Sequence, residues 1–129
     1  MIKENPKLLS PGVLAFVGDA VFGLLVRERL AQKNRPAGTL HQMSVELVNA
    51  TAQSRAYDII RPLLTEEETA IFMRGRNSHT TNSTKSSTNK EYHTATGLEA
   101  LFGYLHLSNQ NNRINYLFSI IWDELLGNK

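Results

Sequence analysis

Two acidic residues stand alone in apolar surroundings. Asp19 is the only charged side chain from Val13 to Val26 (VLAFVGDAVFGLLV), and Glu99 is the only acid from Gly97 to Leu107 (GLEALFGYLHL), where its one polar companion is the near-neutral His106. A carboxylate taken out of water without a partner is costly, so the pair calls for a cation. The plainer alternative is that each acid is satisfied separately, by capping a neighbouring helix or by pairing with an arginine. Glycines flank both acids, Gly18 and Gly23 around Asp19 and Gly97 and Gly103 around Glu99. Helices carrying glycine can approach closely, and if these two cross, Asp19 and Glu99 face one another. Hard carboxylate oxygens suit Mg²⁺, with Mn²⁺ as a substitute. Such ions bind through one or two carboxylates, water and substrate phosphates.

A second constellation is basic. From Asn77 to Lys90, eleven of fourteen residues are Ser, Thr or Asn, and the others are His79, Lys85 and Lys90. No acid occurs between Glu68 and Glu91, whereas Arg74, Arg76, Lys85 and Lys90 all fall there. This composition suits a solvated linker. It equally suits a phosphate-contacting arm, in which Arg and Lys supply charge while hydroxyls and amides supply hydrogen bonds. The cluster Arg74-Gly75-Arg76-Asn77 is its most specific part. No aromatics are interleaved, so stacking on single-stranded bases is disfavoured, and recognition of a duplex by shape and backbone fits better. His41, His79, His93 and His106 form no metal-binding pattern, and His106 reads as a packed or hydrogen-bonded histidine. Neither a G-x-S-x-G elbow nor a phosphate-binding-loop spacing occurs.

The elements that must carry these residues read as helical throughout, with no alternating stretch long enough for a strand. Ser10-Pro11 starts a helix that runs to about Gln32. It is apolar on two sides, Leu14, Val17, Val21 and Leu25 on one and Ala15, Phe22 and Val26 beside Asp19 on the other, which suggests the centre of a bundle. A second helix is expected from near Thr39 to Ile60, ended by Pro62. A short third helix follows the capping-box spacing of Thr65 and Glu68 and reaches about Met73. Leu98–Leu107 is a fourth helix. Asn112–Leu126 is an amphipathic last one, with Asp123 and Glu124 solvated.

The totals set the frame. A chain of 129 residues is most simply one domain with its own core, residues 1–129. A net charge of +2 is too small to argue for nucleic-acid binding by itself. The chain has no cysteine. That excludes disulfides and thiolate chemistry and fits a reducing cytoplasm. Val13–Val26 falls short of the ~18 apolar residues of a membrane span, and the N-terminus lacks the apolar run of a signal peptide.

At Phe16-Val17-Gly18-Asp19-Ala20-Val21 the chain resembles the signature helix of the ribonuclease III family, which cuts double-stranded RNA with Mg²⁺. The family's second element, an acidic helix ending E-A-L-x-G, is matched by Glu99-Ala100-Leu101-Phe102-Gly103. With the R-G-R-N cluster, the short length and no double-stranded-RNA-binding domain, the likeness is greatest to the Mini-ribonuclease III branch. The departures are specific. The family places glutamates seven and four residues before the aspartate, where this chain has Gly12 and Ala15, and an aspartate three residues before the second glutamate, where it has Thr96.

The resemblance implies an all-α ribonuclease III-type endonuclease domain, working as a homodimeric helical bundle with two active sites across one duplex. It implies Asp19 and Glu99 as catalytic metal ligands, and Arg74, Arg76, Asn77, Lys85 and Lys90 as RNA contacts. The expected substrate is precursor large-subunit (23S) ribosomal RNA, trimmed near its ends, with ribosomal proteins on that substrate as further partners and no membrane. Cleavage in the family leaves a 5′-phosphate and a 3′-hydroxyl. Two rival readings remain: a non-catalytic RNA- or ribosome-binding module with a degenerate acidic cluster, and a purely structural helical dimer.

Overall fold

The computed structural model describes residues 5–78 and 89–126. A single 3-10 turn, Pro6–Leu8, precedes six helices: α1 (Pro11–Ala31), α2 (Ala37–Val48), α3 (Ala50–Ile60), α4 (Glu66–Arg76), α5 (Asn89–Leu107) and α6 (Asn111–Leu126), with a second 3-10 turn, Arg61–Leu63, before α4. Among the described residues there is no strand, so the all-α expectation holds. Among the described residues no helix is long and apolar enough to cross a membrane.

Local chemistry sets the starts of the helices. Ser10 Oγ accepts from the Val13 amide at 3.2 Å and Pro11 occupies the first helical position of α1. The capping box of α4 is closed in both directions: Glu68 N–H donates to Thr65 Oγ1 (3.1 Å), and Thr65 N–H donates to Glu68 Oε1 (2.9 Å). Arg113 on α6 completes it, donating to both Glu68 oxygens at 2.8 Å and to the Leu63 carbonyl. Burial pushes the Glu68 carboxyl up, but Arg113 and the Thr65 amide outweigh it and hold the group below its ordinary range.

Three expected boundaries move. The helix foreseen over 39–60 is two helices, broken at Asn49, whose extended backbone (φ −74°, ψ 169°) lets its side chain accept from Ala52 N–H at 2.8 Å and cap α3. α5 starts at Asn89, nine residues before Leu98, because its first turns bury the small side chains Thr94, Ala95 and Gly97 rather than an apolar stripe. α4 likewise continues past Met73 to Arg76, so Arg74 and Arg76 are helical.

The centre of the bundle is α5, not α1. α5 packs against α1, α3, α4 and α6 and buries Leu98 and every residue from Ala100 to Leu105. α1 buries one face (Leu14, Ala15, Gly18, Phe22, Val26 and Leu30) and leaves Val13, Phe16 and Leu24 exposed, Phe16 at 80%. Phe22 inserts edge-on between Phe102 and Phe118, with ring centroids 5.6 Å from each.

Where α1 crosses α5 the two backbones touch with no room for a side chain. A Cβ on Gly18 would collide with the Glu99 carbonyl and sit 2.8 Å from Gly103 N, and one on Gly103 would collide with the Leu14 carbonyl. Gly97 serves a different contact, beneath the Phe72 ring of α4, and Gly23 sits at no helix crossing. Replacing Gly103 by Ala must push two backbones apart, and such overpacking costs about 1–3 kcal/mol or more. Urea denaturation of Gly103→Ala is expected to show that loss, while Gly23→Ala stays within about 1 kcal/mol of the parent.

Candidate active site

The Gly18–Gly103 crossing dictates where the two isolated acids sit. Asp19 follows Gly18 directly, and the backbone of Glu99 lies beneath Gly18, so both carboxyls emerge at the same crossing. They are not equally buried. Asp19 is exposed on the flank of α1, against the expectation of an isolated buried acid, whereas Glu99 is largely withdrawn from solvent. Burial first, and then the negative charge of Asp19, push the Glu99 carboxyl up to about 7, and a hydrogen bond between the two carboxyls adds to the rise. Two carboxyls set against each other, one of them largely buried, form a site with a deficit of positive charge.

A third residue meets them from α3. Gln53 is 1% exposed, and its Nε2 donates to Glu99 Oε2 at 3.4 Å and to the Val48 carbonyl at 3.2 Å. The amide lowers the Glu99 carboxyl against the three effects that raise it. Nothing in the residue type marks Gln53 out, since an isolated glutamine in a helical sequence reads as surface. The signal available was its position four residues after the capping Asn49.

The positions that lack the usual family acids are filled in other ways. Ala15 is packed into the core, Gly12 is exposed, and the Thr96 hydroxyl donates to the Tyr92 carbonyl at 3.1 Å. Among the described residues no group of three His, Cys, Asp or Glu side chains converges. A two-carboxylate site with an unmet need for positive charge fits a hard divalent cation that keeps much of its coordination for water and ligand.

The basic residues divide. Arg74 donates to the carbonyls of Lys7 (2.8 Å) and Leu9 (2.9 Å), so it clips the segment before α1 onto the end of α4. Arg76, half-buried, donates to Asn77 Oδ1 at 3.0 Å. Both stand in the last turn of α4, where the helix dipole favours cations. Lys90 is exposed in the first turn of α5. Lys85 and His79 lie outside the described residues. His106, expected to be packed, is exposed.

The description Ribonuclease III domain matches residues 12–110, most of the chain and both acids. The chain belongs to the ribonuclease III family. It is 42% identical over 121 residues to a Mini-ribonuclease 3 of Thermoanaerobacter sp., covering 93% of this chain and 85% of that one. It is 36% identical to the Mini-ribonuclease 3 of Clostridium tetani, over 92% of this chain and 80% of that one. A crystal structure of a protein from Fusobacterium nucleatum superposes with a TM-score of 0.86 at 31% identity, covering 96% of this chain and all of the other. The ribonuclease III-type fold read from the two motifs is therefore the observed one.

The raised Glu99 carboxyl has a consequence for stability. The folded chain keeps this proton to about pH 7, whereas an unfolded glutamate loses it near pH 4.3. Between those values the folded state binds more protons, so this group's contribution falls as pH rises and levels off above about 7. Without divalent metal, the melting temperature of Glu99→Gln is expected to exceed that of the parent at pH 7.5 by an amount equivalent to on the order of 2 kcal/mol. The two should converge towards pH 5. Parallel melting curves across this range would remove the charge repulsion assigned to the pair.

Proposed function

We propose that this member of the ribonuclease III family is a metal-dependent endoribonuclease that cleaves double-stranded RNA, with residues 1–129 forming one catalytic domain. The observation that carries the proposal is the convergence of Asp19 and Glu99 at the α1–α5 crossing, where their mutual repulsion leaves a place for a cation. Asp19, at the solvent rim, and Glu99, behind it, are the residues that would hold Mg²⁺ or Mn²⁺. When bound, such an ion supplies an activated water for in-line attack at phosphorus and stabilises the developing charge. Glu99 gives up its proton to take part, and Asp19 offers an oxygen to a ligand arriving from solvent. The products on this reading carry a 5′-phosphate and a 3′-hydroxyl.

Arg76, Asn77 and Lys90 flank the two ends of the Ser/Thr/Asn-rich segment and are positioned to contact phosphates without reading bases. Arg74 and Lys85 belong to the same proposed RNA surface, Arg74 chiefly through its charge because two of its donors are already engaged. The exposed apolar residues Val13, Phe16 and Leu24 on α1 support a homodimer, which would set two sites along one duplex. On its resemblance to the Mini-ribonuclease 3 relatives, the substrate in this reading is precursor 23S ribosomal RNA, with ribosomal proteins bound to it, in the cytoplasm.

Asp19→Asn is expected to retain the fold and duplex binding and to lose cleavage. Changes behind a metal ligand already cost about 10–100-fold, and loss of a ligand should cost more in single-turnover assays with Mg²⁺. Normal cutting by this variant would overturn the metal assignment. Binding without cutting by the parent chain in every divalent metal would leave a non-catalytic RNA-binding module instead. Separately, Arg76→Ala and Lys90→Ala should each weaken duplex binding and reduce the slope of log K against log salt by about 0.9 per lost phosphate contact. Unchanged slopes would remove these residues from the interface.

A further inference from the structure

Gln53 does more than fill space. It is 1% exposed and uses only half of its amide: Nε2 is shared between the Val48 carbonyl and Glu99 Oε2, while Oε1 has no hydrogen-bond partner among the described residues. Buried polar atoms are nearly always paired. A residue kept for packing alone would be better served by leucine or methionine, which fill similar space without an orphaned acceptor.

The anchor explains the geometry. Val48 is the last residue of α2, and its carbonyl belongs to the group that a helix end leaves without an intrahelical partner. The break at Asn49 opens that carbonyl and starts α3, so that Gln53 reaches back to Val48 and across to α5 with the same amide nitrogen. The reach to Glu99, 3.4 Å, is long for a hydrogen bond. A neutral donor is what this place requires. An arginine or lysine there would satisfy Glu99 and compete with a cation, and a second carboxylate would add to the repulsion already present.

We propose that Gln53 is the positioning residue of the two-carboxylate site: its amide nitrogen, anchored on the Val48 carbonyl, aims Glu99 Oε2 for metal binding while leaving the carboxylate's charge to the metal. The inference rests on the reading of Asp19 and Glu99 as metal ligands. The unpartnered Oε1 is an acceptor that remains for water carried in with the ion. Partners behind metal ligands fix orientation in this way, and their loss typically weakens metal binding by about 10–100-fold.

The test uses Mn²⁺ as the probe on the full chain. Electron paramagnetic resonance titration gives the Mn²⁺ dissociation constant for the parent, Gln53→Leu, Gln53→Met and Asp19→Asn, and duplex-RNA cleavage is followed against Mn²⁺ concentration. Expected are a dissociation constant and an activation midpoint raised about tenfold in both Gln53 variants. The rate at saturating Mn²⁺ should recover to within a few-fold of the parent, and circular dichroism in EDTA should show the parent's helical fold. Gln53→Met, unbranched and of similar length, carries the test if Gln53→Leu does not fold. Parental Mn²⁺ affinity and midpoint in a folded variant would overturn the inference, and loss of fold in both would make Gln53 a structural residue and overturn it too. If the parent itself binds no Mn²⁺, or Asp19→Asn binds as the parent does, it is the metal-ligand reading that falls, and Gln53's role with it.

Discussion

At Gly18 and Gly103 two helices meet backbone against backbone, with no side chain between them. The two-carboxylate site is referred to that contact. It fixes α1 against the central α5, sets Asp19 beside Glu99, and draws Glu99 inward, where burial and the neighbouring Asp19 charge raise its carboxyl to about 7. A larger residue at either glycine would separate the carboxyls by the same displacement that separated the helices, so packing and charge arrangement are one constraint here. The aromatic wedge of Phe22 between Phe102 and Phe118 continues the same interface away from the acids, and the interior is close-packed enough to transmit such a shift.

What could be read from the sequence was what local chemistry decides. Ser10-Pro11 and the Thr65–Glu68 box mark helix starts by satisfying free amides, and both are observed. The pairing of Asp19 with Glu99 was legible because each acid is conspicuous among apolar neighbours and stands beside a glycine at the crossing. The degree of burial was not. Asp19 lies on the edge of the buried arc of α1, and a helical wheel places it beside Phe22 and Val26 without showing that it is left facing solvent.

The remaining differences have one cause: tertiary contacts overrode periodicity. Leu40, Met43, Leu47 and Ala50 keep helical spacing through Asn49, yet the chain turns there because the Asn49 side chain caps α3. The first turns of α5 pack small residues against α4, a contact that leaves no apolar stripe to see. Gln53 was missed for a related reason, since its value depends on an unpaired carbonyl created by a break that the spacing conceals.

Arg74 shows how a charge and its hydrogen bonds can be put to separate uses. Two of its guanidinium donors are spent on the carbonyls of Lys7 and Leu9. Its charge cannot be spent in this way, since guanidinium stays protonated at any physiological pH and carbonyl dipoles do not cancel it. The segment leading into α1 is thus latched to the end of α4 by a residue that still contributes a positive field over roughly 10 Å at moderate salt. A polyanion approaching this face would be drawn by Arg74 at a distance. It would gain a contact from it only by prising the latch open, which makes this corner an attractor more than a grip.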